Sequence, residues 1–473
     1  MMKKSRFFMI TAMAGLLFTS CSDDDNDTPF APGVGISVSG DTFSEAEGPI
    51  TLTFTSTEAF GTDVVLTYEV TGSATSGEDF GALPGTLTLA TGETSTTLEL
   101  TLNDDDEVES SEAIIITLTA VDGGTDFIGS ANSLTLTLTD NDSFPFENGI
   151  LVLHEGNFGA GNASVSFVND DLSLVQNGIF KEVNEVDAWG DTAQSMTFNG
   201  DMAYIVVNNS QKIEVVDRYT FESVGTIGGP DETDFLNPRY MAVANGKGYV
   251  TNWGDGSNPD DDFVAVLNLD NNTVESTIAV AEGPERILAK DDVLYVAHQG
   301  GFGQNNIVSV IDAVTNAVTT TITVADRPNS MQLVNDELWV LSGGNPAWTG
   351  NETAGQLDKV NTTSNTVETT LTFAQTEHPG FLSQDDDNLY YYMSSSIFSM
   401  GVTDTALPTA ADITDLNFYD MSINEGKLFG VDAKNFLSNG SLEVYDLGDN
   451  SLLTSEEVSI IPTGVYFNGD FDF

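Results

Sequence analysis

The chain has 473 residues, with 14 Lys and Arg against 73 Asp and Glu, and a net charge of −59 at pH 7. That charge excludes nucleic acid and anionic lipid as partners, because every phosphate would be repelled. One cysteine excludes an intramolecular disulfide, and the length suffices for one large domain and one small one.

Residues 1–21 open with Met1-Met2-Lys3-Lys4-Ser5-Arg6, continue with an apolar run from Phe7 to Phe18, and end at Thr19-Ser20-Cys21. A charged start, a short apolar stretch and a small residue before cysteine read as an export signal. As a helix the run would span about 18 Å, too short for a roughly 30 Å bilayer core. The placement of Cys21 resembles a bacterial lipobox, which implies a lipidated cysteine and anchoring to a membrane. The alternative is a plain signal peptide that contains a cysteine. Residues 22–33 form an acidic tether. Its start, Ser22-Asp23-Asp24-Asp25-Asn26-Asp27, resembles the signal that sends Bacteroidota lipoproteins to the outer face of the outer membrane.

Residues 34–142 carry alternating runs such as Ile50-Thr51-Leu52-Thr53-Phe54, Thr86-Leu87-Thr88-Leu89 and Leu134-Thr135-Leu136-Thr137-Leu138. Each reads as a strand with one buried face, and the regular turn signals between them point to a β-sandwich. From Ser22 to Glu147 there are 25 Asp and Glu and no Lys or Arg. Carboxylates crowded within a screening length of about 8 Å repel one another, so a divalent ion is the simplest neutraliser. The motifs Ser44-Glu45-Ala46-Glu47-Gly48, Ser76-Gly77-Glu78-Asp79-Phe80, Asp104-Asp105-Asp106-Glu107-Val108-Glu109 and Thr139-Asp140-Asn141-Asp142 resemble a Calx-β domain. That resemblance implies calcium, held by Glu45, Asp79, Asp104, Asp105, Glu109, Asp140 and Asp142. The alternative is a set of solvated loop acids in a domain that folds without metal. Asn141 stands where some relatives have a further acid.

Residues 148–473 repeat one phrase, with equivalent starts at Ala193, Pro238, Pro284, Pro328, Pro379, Phe418 and Pro462. A period of roughly 45 residues with four short strands per unit is that of a propeller blade. The fold class is therefore all-β: a small β-sandwich followed by a seven-bladed β-propeller. The last start supplies one strand only. Its missing partners lie at Ile150–His154, Ser164–Val168 and near Phe180, so one blade is shared between the two ends of the domain and closes the ring.

Within each unit strands A to D alternate in direction, so the D–A and B–C loops share one face. Arg239, Arg286 and Arg327 fall in consecutive D–A loops; His154 and His298 end B strands; His378 lies in a D–A loop. Trp189, Trp253, Trp348, Phe158 and Phe302 add rings to that face, and Asn157, Gln194 and Tyr240 add polar groups. Scarce cations gathered with aromatics and amides look like a binding site. The competing reading is that each arginine pairs with a local acid such as Glu285 or Asp326.

Leu153-His154-Glu155-Gly156-Asn157-Phe158-Gly159, Asp191-Thr192-Ala193-Gln194-Ser195-Met196 and Asn237-Pro238-Arg239-Tyr240 resemble a family of Bacteroidota surface lipoproteins with YVTN-type propellers. Some members bind cobalamin and pass it to a TonB-dependent outer-membrane transporter. The resemblance implies the same role here, with amides for the corrin side chains, rings for its apolar surfaces and arginines for its phosphate. The chain departs from that family by His154, where relatives often have Asn, and by its front domain. Two further readings stay open. One is a calcium-stiffened adhesin that grips a glycan or protein. The other is a lactonase or lyase using His154, Glu155 and His298, although no nucleophile–base motif is present and a non-enzymatic role is expected.

Overall fold

The computed structural model describes residues 33–105, 107–229 and 234–469. Cys21, the 1–21 signal segment and residues 22–32 of the tether lie outside them. Among the described residues no helix is long and apolar enough to cross a membrane. The chain divides into two compact units, Met1–Ser143 and Phe144–Phe473.

In the first unit, strands at Val34–Ser37, Ile50–Ser56 and Ser95–Leu100 form one sheet. The second sheet orders Thr42–Ser44, Ser133–Thr139, Glu112–Val121, Val64–Gly72 and Thr86–Leu89. The alternation seen in the sequence sends Leu52, Phe54, Leu66, Ile114, Ile116 and Leu136 into one core between the sheets. Their Thr neighbours stay at the surface. This is the expected sandwich.

The second unit is a seven-bladed propeller. Six blades run in chain order, their inner strands at Ala193–Asn199, Pro238–Ala244, Pro284–Lys290, Pro328–Val334, Gly380–Asp385 and Asp420–Asn424. The seventh joins the C-terminal strand Pro462–Asn468 to Gly149–His154, Ser164–Asn169 and Val175–Asn177. The seam is held by Asn468, which is fully buried. Its amide donates to Phe146 O (2.6 Å) and Arg218 O (2.7 Å), and its Oδ1 accepts from Arg218 Nε (2.5 Å).

Two details differ from the sequence reading. Val175–Asn177 is the outer strand of the shared blade, and Phe180 instead sits in a helix, Ile179–Asn184, that packs its ring 4.8 Å from Trp189. The blade that begins at Gly380 has three strands, not four. Its fourth segment, Thr403-Asp404-Thr405-Ala406-Leu407-Pro408, lacks strand alternation and ends in a proline that cannot donate to a ladder. Ile413 bridges to Ile397 in its place.

Neighbouring inner strands are joined by side chains that donate to the next blade's carbonyls. Ser195 Oγ reaches Arg239 O (2.7 Å), Thr197 Oγ1 reaches Met241 O (2.8 Å), Gln332 Nε2 reaches Leu382 O (2.9 Å) and Ser422 Oγ reaches Val465 O (3.1 Å). These bonds satisfy polar groups along a central channel lined by all seven inner strands.

Candidate functional site

The start of an inner strand is where the propeller aims its side chains. In the second blade Pro238 pairs with Asn252 and Met241 with Val250, so Arg239 and Tyr240 together oppose one residue. The same irregularity places Glu285 and Arg286 in the third blade and Phe381 and Leu382 in the fifth. A bulge of this kind turns extra side chains out of the pleat. Here Arg239, Tyr240, Glu285, Arg286 and Phe381 line the mouth of the channel, while Leu382 packs into the core.

That mouth is a cavity of about 450 Å3. Of the sequence-predicted residues it gathers Gln194, Arg239, Tyr240, Arg286 and His378. It also gathers Glu155, named above only for the lactonase or lyase reading, and Glu285, Gln299, Asn329, Tyr392, Tyr419 and Asp420, which the sequence pattern does not single out as ligand-binding. The one available signal for Glu285 was its position next to Arg286 at a D–A start.

The arginines are not free. Arg239 donates from Nε and Nη2 to both oxygens of Glu285 (3.0 and 2.9 Å), and its guanidinium lies 4.0 Å from the centre of the Trp253 ring. Arg286 lies 4.1 Å over the Tyr240 ring and 3.7 Å from Asp420 Oδ2. Glu155 is the carboxylate left over. Among the described residues it accepts only from Tyr419 OH and Thr463 Oγ1, both at 3.3 Å. Burial raises its carboxyl above the usual range, against the pull of Arg239. Burial raises Asp420 likewise, opposed by Arg286. The mouth thus holds two cations and three acids, the opposite balance from a phosphate clamp. His378 donates from Nδ1 to Gly343 O (2.7 Å) and faces Glu352 through Nε2 (3.5 Å).

Nine predicted residues do not line the cavity, and three of these are buried. His154 and His298 are fully buried, each with Nε2 at 2.8 Å from a serine hydroxyl of the next strand, Ser166 and Ser309. Burial holds them neutral, at about 3 and about 4. They end B strands as expected, but the pleat turns them inward. Trp189 is buried against Phe180 and is core. The rest lie on surrounding loops. Phe158 and Trp348 are exposed, and Arg327 sits 5.8 Å from the Trp348 ring with no carboxylate partner among the described residues. Asp326 instead accepts from Asn345 and Thr353. Asn157 ties two loops by donating to Phe436 O (2.9 Å). Trp253 and Phe302 form a separate pocket.

In the sandwich, Glu45, Asp140 and Asp142 each offer an oxygen within 4.8 Å of the others. Burial first, then the hydrogen bond with Asp140, pushes Glu45 up to about 7. Asn141 is a brace: its Oδ1 accepts from Ser44 Oγ (3.2 Å) and Ala46 N (3.1 Å), and its amide donates to Asp104 (3.2 Å). Asp79, Asp105 and Glu109 lie beside this trio. Burial raises Glu109, and the charges of Asp79, Asp105 and Asp140 add to it. Glu112, at the start of its strand, shares a hydrogen bond with Asp79 and joins the knot. Hard oxygen donors crowded with like charge fit a divalent, oxygen-seeking ion.

A family model described as "Domain of unknown function (DUF5074)" matches residues 148–426, more than half of the chain. The chain belongs to the DUF5074 family. The Calx-beta domain model matches residues 26–142, in line with the sandwich. Among solved structures, a functionally unknown protein from Desulfotomaculum acetoxidans is similar at 11% identity and TM-score 0.50, over 68% of this chain and 99% of that one. It shares the fold. Hydrazine synthase of Kuenenia stuttgartiensis matches at 15% identity and TM-score 0.41, over 57% of this chain and 86% of that one. The apo-form Calx CBD1 domain matches at 21% identity and TM-score 0.21, over 23% of this chain and 99% of that one.

Proposed function

We propose that the protein is a non-catalytic binding protein of the cell surface, whose propeller takes a small ligand at the mouth of its channel. The supporting observation is the convergence of Gln194, Arg239, Tyr240, Arg286, Tyr419 and Glu155 on one cavity of about 450 Å3, a size that takes a drug-sized molecule or part of a larger one. Cobalamin is the ligand this reading names. Its amide arms would meet the mixed donors and acceptors of the mouth, and the larger remainder would lie across the rim, against Trp348 and Phe158. In this reading Cys21 carries the lipid anchor in the outer membrane, facing outward, and a TonB-dependent transporter receives the ligand. In the sandwich, calcium would be held by Glu45, Asp140 and Asp142, with Asp79, Asp104, Asp105 and Glu109 close by. A lactonase or lyase reading loses two of its candidate bases, because His154 and His298 are sealed from the cavity. The test is calorimetric titration of cyanocobalamin into the chain from Ser22 onward, with calcium present. One-to-one binding weakened by Tyr240→Ala supports the reading. Absence of heat at micromolar protein removes cobalamin.

A further inference from the structure

Trp253 and Phe302 stand apart from the channel mouth. Their rings meet edge to face, 5.6 Å between centres, and wall a pocket of about 140 Å3 in the B–C loops of the second and third blades. Apart from Gly256 and Pro259, the other walls are polar or acidic: Asp255, Ser257, Asn258, Asp262 and Glu282. Among the described residues no lysine, arginine or histidine lines it. We propose that this pocket is a second ligand site, one that takes an alkylammonium group, such as a lysine side chain or a quaternary amine, between the two rings and the Asp262 and Glu282 carboxylates.

Four observations carry this. The first is uncompensated charge. The Glu282 carboxylate has no hydrogen bond or ion pair among the described residues, whereas its backbone oxygen is engaged by Asn305 and His298. Asp262 is 3% exposed and accepts from Gly283 N. Burial, with Asp261 and Glu282 adding to it, drives its carboxyl up to about 6. Arg239 lies over the Trp253 ring but is held by both oxygens of Glu285. The second is the aromatic wall. Phe302 is 62% exposed, and an open ring beside carboxylates is the composition that attracts organic cations.

The third is that the walls are built against the backbone. A Cβ on Gly256 would lie 2.8 Å from the Phe302 ring, and one on Gly303 would strike the Glu282 carboxylate. Both walls are therefore held by close approach to glycine. The fourth is geometry that disfavours a bare metal ion. Among the described residues, only Glu45, Asp140 and Asp142 form a group of three acids whose oxygens all lie within 4.8 Å of one another. The acids of this pocket are spread around it, as suits a headgroup with a diffuse charge. The volume, below the roughly 300 Å3 of a drug-sized pocket, suits one headgroup.

The experiment titrates the chain from Ser22 onward with tetramethylammonium chloride and, separately, with Nα-acetyl-lysine methylamide, against sodium chloride at matched ionic strength. Calorimetry and tryptophan emission are both read. Saturable one-to-one binding is expected for at least one probe. Phe302→Ala, at an exposed ring, should weaken it by roughly three- to thirtyfold, and Glu282→Gln by about tenfold. Tighter binding of the lysine probe points to a protein as the natural source of the group, and tighter binding of the quaternary amine to a small molecule. No saturation by tens of millimolar, unchanged affinity in both variants, or displacement of the probe by a neutral sugar would overturn the proposal. Whether cobalamin binds the channel mouth has no bearing on any of these results.

Discussion

His154 and His298 turn the propeller into a protein that should weaken in mild acid. Both imidazoles are fully buried and held neutral, at about 3 and about 4, against 6.5 for a free histidine. The folded state therefore binds fewer protons than the unfolded chain as pH falls through 6.5. Stability is complete above that value and is lost progressively below it, until the folded-state values are reached. At pH 5 the unfolded chain gains about 2 kcal/mol per histidine from protonation, so the pair removes about 4 kcal/mol between pH 7.5 and 5. That is a large part of a typical domain's 5–15 kcal/mol. Trp189, Trp253, Trp348 and Trp339 all lie in the propeller unit, so tryptophan emission during urea unfolding reports on it alone. His154→Gln and His298→Gln should each remove about half of the acid-induced loss, whatever they do to stability at pH 7.5. Glu155 and Asp420, raised by burial, act in the opposite direction but are common to every variant and cancel in the comparison. If the double variant loses as much stability on acidification as the wild type, burial of the two rings is not the cause.

Three further outcomes follow from the same contacts. Arg239→Met should cost about 3–5 kcal/mol in urea unfolding, because it strands the buried Glu285, and Arg239→Met with Glu285→Met should recover most of it. Equal losses in the single and double variants would mean the pair is not the source. Asn468→Ala removes three hydrogen bonds from the closing blade and should cost about 2–4 kcal/mol; a loss below about 1 kcal/mol would show that the seam is held by packing alone. Calcium should bind the full chain with measurable heat, and Asp140→Asn should weaken it at least about tenfold by removing a charged ligand. Unchanged affinity would move the ion elsewhere.

The architecture was legible because a propeller repeats its sequence: each inner strand begins with the same short phrase, and the odd strand at Pro462 has its partners near residue 150. What the repeat did not carry is pleat direction. His154 and His378 both belong to one end of the propeller, but only His378 reaches the cavity, because His154 sits within the ladder opposite Pro462 and Ser164. Pairing was hidden for a similar reason. Glu285 lies 46 residues from Arg239, one blade on, and only the bulge at each inner strand brings them together. Phe180 fits a strand or a helix equally well as an isolated apolar residue, and only its partner, Trp189, decides for the helix. In the sandwich, Glu112 looked like an ordinary strand residue, although it stands where that strand enters the acidic end.

The paired arginines change what the mouth favours. An anion entering it meets three carboxylates and two guanidiniums that already face acids, so phosphate gains little there. A molecule rich in amides or hydroxyls gains more, since Glu155 accepts while Gln194, Tyr419 and Asn329 can do both. If the ligand is cobalamin, its phosphate is better served by Arg327 on the rim, where burial has lowered the guanidinium from its usual range and no carboxylate among the described residues competes. Salt separates these contributions, because a partly exposed charge pair is screened and neutral hydrogen bonds are not. Affinity for cyanocobalamin should fall with added salt in the wild type and much less in Arg327→Ala. The same salt dependence in both would place the phosphate in the mouth, and the Arg239–Glu285 pair would then have to open on binding.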